Sequence, residues 1–194
     1  MRRTLRLLAT TALATGLVVG ASGTAFAQKT TVKDASGDVL RYADDEGASD
    51  GVALEDTESR ASGADIKSFS VDHTKTRVKV SAKFRTVEDD TTIYVYFRLN
   101  GKSEPTRVLF NLDDEDAVVF QLSTGEVACE LPISVKTGPN GTISASINRK
   151  CLGYPSKLRA TVVADTETVD GSGDYYEDFL GNDDWQWTKS LKRG

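Results

Sequence analysis

Two short acidic turns have the residue spacing that is typical of a cation site. In the first turn, Asp34, Ser36 and Asp38 place oxygen-bearing side chains at alternate positions, and in the second Asp170 and Asp174 flank a Gly-Ser-Gly sequence. Hard oxygen ligands gathered by a tight turn are what Ca²⁺ requires, so Asp34, Asp38 and Asp174 are the predicted ligands of a calcium ion. Neither turn matches a complete twelve-residue helix–loop–helix calcium loop. The alternative is that these acids are only solvated loop residues.

Two pairs of aromatic residues form a second set of candidates. Tyr94 and Tyr96 alternate with apolar residues, which predicts that both rings lie on the outer side of a strand whose other side faces the core. Trp185 and Trp187 repeat this spacing near the end of the chain. Flat aromatic surfaces with polar neighbours suit sugars, so these four residues are the predicted ligand-binding residues. The competing interpretation is ordinary packing against neighbouring strands or beneath a loop.

The sequence offers little for nucleophilic or zinc-dependent catalysis. Nucleophilic catalysis needs a base beside the nucleophile, and the single histidine, His73, falls on the apolar side of its predicted strand. We therefore expect His73 at the margin of the core, with one ring nitrogen hydrogen-bonded. No His-Glu-x-x-His motif occurs. We predict no catalytic residues, although a hydrolase acting through paired carboxylates, one of them buried in a pocket, is a further hypothesis.

The first residues have the pattern of an export signal. A basic start that includes Arg2 and Arg3 precedes an apolar run over residues 7–19, and Ala25 and Ala27 are the small residues expected before a cleavage site. The run is shorter than the roughly 20 residues that span a membrane. We therefore expect cleavage after Ala27 and a secreted, extracellular protein without a membrane span. The two adjacent arginines leave both the general and the twin-arginine export routes open.

The net charge of the chain narrows the classes of partner. Residues 1–27 contain three arginines and no acid, so their removal would change the formal net charge from −5 to −8. A surface of that sign repels phosphate, which argues against a nucleic-acid partner.

The chain has two cysteines, Cys129 and Cys151. In an exported protein an even cysteine count predicts a disulfide, here a structural one.

The apolar residues alternate with a period of two over most of the chain. Residues 65–85 predict two antiparallel strands joined by a charged turn, and Asn100-Gly101 predicts a tight hairpin. Residues 28–64 are expected to be an acidic strand and loop, with 43–63 as a mobile loop, and 165–184 a second acidic loop. The predicted fold is an all-β, jelly-roll-like antiparallel sandwich of about eight strands over residues 65–194, which residues 28–64 join.

Several short motifs resemble those of a known group of proteins. They are Asp34-x-x-Gly37-Asp38-Val39, Asp65-Ile66, Val71-x-His73-Thr74 followed by V-x-V-x-A-x-F, and Cys151-Leu152-Gly153-x-Pro155. Together they resemble small secreted β-sandwich proteins of actinobacteria. More distantly, the Asp65–Thr74 hairpin is similar to the opening of family-nine-like carbohydrate-binding modules and of DOMON sandwiches. That resemblance implies a sandwich that binds sugar, sometimes with structural calcium. Haem is not expected, because the only methionine, Met1, lies in the export signal.

The leading hypothesis is a secreted, monomeric, non-enzymatic module that binds a ligand such as a glycan, with Ca²⁺ ordering its acidic loops. An alternative is an envelope-associated protein-interaction module that uses a sheet edge or an acidic loop. A glycan pull-down tests the first hypothesis, and cross-linking to a protein partner tests the second.

Overall fold

The computed structural model describes residues 28–43, 51–122, 124–167, 173–181 and 185–194. The predicted export signal and Asp170 lie outside these ranges. Within them the chain is all-β, and one large antiparallel sheet curls into a half-barrel. In this part of the chain no helix has the length and apolar character needed to cross a membrane.

The regular elements are mostly short strands. In chain order the strands are β1 Gln28–Lys33, β2 Leu40–Tyr42, β3 Val52–Ala53, β4 Ile66–His73, β5 Arg77–Phe84, β6 Thr86–Val87, β7 Thr92–Leu99, β8 Thr106–Asn111, β9 Asp116–Gln121, β10 Glu126–Lys136, β11 Gly138–Pro139, β12 Thr142–Asn148, β13 Lys157–Glu167, β14 Tyr175–Phe179 and β15 Leu191–Lys192. A six-residue helix, α1 Asp56–Ala61, precedes β4, and a 3-10 turn, Arg149–Leu152, follows β12.

Thirteen of the described strands belong to the large sheet. Their order is β1-β4-β5-β12-β10-β9-β8-β7-β13-β14-β2-β3, with β15 also paired to β13, and β6 and β11 form a separate ribbon. The predicted number of about eight strands is therefore wrong. Strands β2, β3 and β15 have only two or three residues, which is too short for an alternating pattern to be visible.

Strand β10 joins the two halves of the curled sheet. Its residues 126–132 pair with β9, whereas its residues 133–136 pair with β12. A strand that changes partners along its length turns the corner between two packed layers. The two layers expected of a sandwich are therefore halves of one continuous sheet.

The long hairpins form where the alternating pattern predicts them. Strands β4 and β5 pair in antiparallel register, and their apolar side chains face inward. Phe69, Phe84, Phe97 and Phe110 are each at most 2% exposed and fill the space between the two halves. Burying a phenylalanine side chain of this kind contributes about 1.5–3 kcal/mol. The interior of the curled sheet is thus the core.

His73 lies in the core rather than in a cleft. Its side chain is fully buried, and its Nδ1 lies 3.3 Å from the carbonyl oxygen of Leu191, to which it can donate a hydrogen bond. Burial lowers the pKa of the imidazole, and the nearby Arg149 guanidinium lowers it further. These contacts match the structural role expected for this histidine.

The two acidic stretches contain more regular structure than predicted. Residues 51–63 include β3 and α1, so the expectation of a mobile loop over 43–63 is wrong for that part; residues 44–50 lie outside the described ranges. In the second stretch β13 continues to Glu167 and β14 covers Tyr175–Phe179. Several acids expected in loops therefore lie on strands.

The predicted disulfide is confirmed. Cys129 on β10 and Cys151 in the 3-10 turn are bonded, with their Cα atoms 5.6 Å apart. The bridge ties the strand that joins the two halves to the segment that follows β12.

Candidate functional site

The four predicted aromatic residues lie together on the outer side of the sheet. The ring centroid of Tyr96 lies 6.3 Å from that of Tyr94 and 4.6 Å from that of Trp185. The centroids of Trp185 and Trp187 are 6.3 Å apart, and Phe179 of β14 lies 6.2 Å from Trp185. We call these five residues the aromatic face. Trp185 is 42% exposed, so the face is open to solvent.

Two different elements position these rings. Strand β7 alternates buried and half-buried residues, which places Tyr94 and Tyr96 outward as the sequence predicts. The alternation of Trp185 and Trp187 predicts an edge strand over residues 185–188, but the segment 185–190 on which the tryptophans lie contains no strand. The final strand instead begins at Leu191, and the segment is held beside β13 by a 2.8 Å hydrogen bond from the Thr188 amide to the Ala160 carbonyl.

Arginine side chains lie against the aromatic face. The guanidinium carbon of Arg98 is 4.3 Å from the ring centroid of Trp187, and that of Arg107 is 5.5 Å from that of Tyr94. Both distances fall in the range of cation–π contacts. Each guanidinium also supplies N–H donors beside a flat apolar surface.

A pair of acids lies beside the same rings. Asp165 of β13 is directly opposite Glu177 of β14 in the antiparallel register, and it is also opposite Thr92 on β7, two residues before Tyr94. Burial raises the pKa of Asp165 to about 6. Burial and then the charge of Asp165 raise the pKa of Glu177 to about 7. Near neutral pH the pair can therefore both donate and accept hydrogen bonds.

A groove of about 550 Å³ is lined by one acid of this pair, Asp165. Its lining includes Tyr94, Asp165, Tyr175, Asp90 and Asp113. A larger groove of about 690 Å³ lies on the other half of the sheet, and its lining is rich in serine without an aromatic side chain. Because a binding site needs apolar contact area as well as polar groups, we place the candidate site at the aromatic face and at the adjoining groove, which meet at Tyr94.

The predicted calcium ligands are only partly brought together. Carboxylate oxygens of Asp34 and Asp38 lie within 4.8 Å of each other and of a carboxylate oxygen of Asp178. Asp174, the third predicted ligand, instead forms an ion pair with Arg41, whose terminal nitrogen lies 2.6 Å from Asp174 Oδ2. The carboxylates of Asp34, Asp38 and Asp178 are called the acidic cluster below.

Asp165, Glu177 and Asp178 are site residues that the sequence-based prediction assigns to a loop. The sequence does contain a signal for a strand here, because Tyr175, Tyr176 and Phe179 are strand-forming residues within an otherwise polar stretch. A strand there would place Glu177 and Asp178 on opposite faces. The structure shows this arrangement, with Glu177 outward and Asp178 buried.

Comparisons with known protein families, with curated proteins and with solved structures found no match to this chain. The resemblance to carbohydrate-binding and DOMON-like sandwiches therefore stays a prediction.

Proposed function

We propose that this protein is a secreted binding module that holds a carbohydrate against its aromatic face. The observation that carries the proposal is the position of Trp185, which rests on Tyr96 and Trp187 yet exposes 42% of its surface. The apolar faces of sugar rings pack well on flat aromatic side chains. Four rings chosen from the sequence for this chemistry lie within one cluster, which supports a shared role.

Polar groups around the rings supply what a sugar needs besides stacking. Arg98 and Arg107 offer N–H donors next to the rings. Asp165 offers a carboxyl group in the groove, and Glu177 lies directly opposite it on β14. A few polar groups converging on an apolar surface orient a ligand and give it specificity. The ligand class that fits is a neutral glycan with hydroxyl groups along the edges of its rings.

Intrinsic fluorescence gives a direct test. The chain has two tryptophans, and both belong to the aromatic face. Titration with soluble oligosaccharides, including cell-wall fragments and plant polysaccharides, should therefore shift or quench the tryptophan emission. Trp185→Ala and Tyr96→Ala should each weaken binding by at least about fivefold, because they remove exposed stacking area.

A matched control is available on the same half of the sheet. Val127 is 52% exposed on β10 and lies outside the aromatic face, so Val127→Ala should bind like the wild type. The proposal would be contradicted if no polysaccharide retained the wild-type protein, or if Trp185→Ala were retained as strongly as the wild type. Capture of an envelope protein instead of a glycan would favour the protein-interaction alternative.

One observation favours a second candidate function, a hydrolase acting through carboxylates. Asp165 and Glu177 are opposed, their pKa values are raised to about 6 and about 7, and they lie beside the proposed sugar-binding rings. Glycoside hydrolysis uses such a pair as acid and base. Release of reducing ends from a bound glycan, abolished by Asp165→Asn or Glu177→Gln while binding persists, would establish this activity.

A further inference from the structure

The acidic cluster joins one turn near the start of the described chain to a strand that is distant in sequence. Asp34 follows β1, Asp38 precedes β2, and Asp178 lies on the inner side of β14 opposite Ala164. One carboxylate oxygen from each acid lies within 4.8 Å of the others. Two oxygens bound to one Ca²⁺ at roughly 2.3–2.6 Å are at most about 5 Å apart, so the spacing suits a shared ion.

Backbone hydrogen bonds orient two of these carboxylates. The Gly181 amide donates to Asp34 Oδ1 at 2.6 Å, and the Ile66 amide donates to Asp178 Oδ2 at 2.6 Å. The second oxygen of each group, Asp34 Oδ2 and Asp178 Oδ1, is buried without a hydrogen-bond partner. Asp178 is only 1% exposed. Buried polar atoms are normally satisfied, so these two oxygens point to a ligand.

The charges around Asp178 also indicate a bound cation. The charged groups that act most strongly on Asp178 are Asp34, Asp38 and Asp65, all of them acidic. Asp65 is fully buried, and Arg85 Nε lies 3.6 Å from its Oδ1. Buried carboxylates of one sign are costly unless a cation compensates them.

We propose that Asp34, Asp38 and Asp178 bind one calcium ion, with Asp178 as the central buried ligand. All three donors are hard carboxylate oxygens, which Ca²⁺ prefers, and backbone carbonyls and water complete its coordination shell. Zinc prefers nitrogen and sulfur ligands. The only histidine, His73, lies in the core beside Leu191, and both cysteines are in the disulfide.

The ion would connect the N-terminal loop to the segment that carries the tryptophans. Asp178 and Gly181, the partner of Asp34, both lie just before that segment, and the Gln186 amide donates to the Leu180 carbonyl at 2.9 Å. Calcium would therefore fix the base of the segment on which Trp185 lies. Ion binding itself does not depend on the proposed sugar site.

The experiment uses chelator-treated protein and measures thermal unfolding and the heat of binding with Ca²⁺, Mg²⁺ or Zn²⁺. We expect Ca²⁺ to raise the melting temperature by several degrees with a stoichiometry of one. Asp178→Asn keeps an oxygen that can accept the Ile66 amide but removes a charge. It should lose the calcium response and, in chelator, melt at or above the wild-type temperature because like-charge repulsion is relieved.

Asp174→Asn is the matched control, because Asp174 pairs with Arg41 outside the cluster, and it should respond to calcium like the wild type. Asp38→Asn provides a second test if the Asp178 variant does not fold, and it should also lose the response. No calcium heat and no thermal shift in the wild type would overturn the site. So would an unchanged calcium response in the Asp178 and Asp38 variants, or a shift produced by Mg²⁺ or Zn²⁺ alone.

Discussion

At the scale of single residues, Asp165 and Glu177 show how a strand can change the chemistry of an acid. In a loop both side chains would be solvated, whereas on the outer side of β13 and β14 they oppose each other beside Tyr94. Burial raises the pKa of both groups, and the Asp165 charge adds to the shift at Glu177. The pair therefore changes its protonation state over the range in which most extracellular proteins work.

Replacement of Asp165 should alter how stability depends on pH. Its folded-state pKa of about 6 lies above the ordinary aspartate pKa of 3.8, so the folded state binds the proton more tightly than the unfolded state does. The resulting stabilisation is present below pH 4 and is lost as the pH rises through 6. In Asp165→Asn the fall in the free energy of unfolding with rising pH should be smaller by on the order of 1–2 kcal/mol. This is less than the full pKa shift of Asp165 would give, since solvent at the outer face screens part of it.

Urea unfolding of both proteins at pH 4.5 and pH 7.5 measures this difference. Asp116→Asn is a suitable control, because Asp116 lies at the start of β9 away from the pair. Parallel pH profiles for the wild type and Asp165→Asn would show that Asp165 does not titrate differently in the folded state.

At the scale of elements, the long strands could be predicted and the short ones could not. Strands β4, β5, β7 and β12 each have seven or eight residues with alternating burial, so their inward and outward faces can be assigned from the sequence. This is why Tyr94 and Tyr96 were placed correctly. Strands of two or three residues have no detectable period, and their positions depend on partners far away in the chain.

The acidic cluster, likewise, could be predicted from the sequence only in part. Asp34 and Asp38 are close in sequence and can be recognised as a turn with alternating oxygen ligands. Asp178 joins them only because β14 pairs with β13 and turns this side chain inward. Asp174 lies four residues before Asp178 in a similar acidic turn, but it contacts Arg41. The sequence therefore predicted two acids of the acidic cluster, and long-range strand pairing decided the third.

The disulfide is the element-scale feature with the clearest energetic consequence. Cys129 and Cys151 are separated by 22 residues, and closing a loop of that length is worth roughly 3–4 kcal/mol on the chain-entropy model. The double variant Cys129→Ala/Cys151→Ala should lower the free energy of unfolding by about 3 kcal/mol. Urea unfolding measures the change, and reduced wild-type protein should behave similarly. An unchanged unfolding midpoint in the double variant and in the reduced protein would contradict the expected loss of stability.

At the scale of the whole molecule, the curled sheet should unfold as one unit. The core between the two halves is continuous, and β10 pairs with strands of both. Tryptophan fluorescence reports the side that carries the aromatic face, while far-ultraviolet circular dichroism reports every strand. We expect the two signals to give the same urea midpoint, as two-state unfolding requires. Separate midpoints would show that the halves are independent.

Because β10 belongs to both halves, the described part of the chain has no boundary between the halves at which it could be divided. Separating residues 28–132 from residues 133–194 would break the pairing of β5 with β12 and of β7 with β13, and the bare edges left behind pair readily with other chains. Fragments made for expression, or nicked by a protease at this point, should aggregate rather than persist as smaller domains.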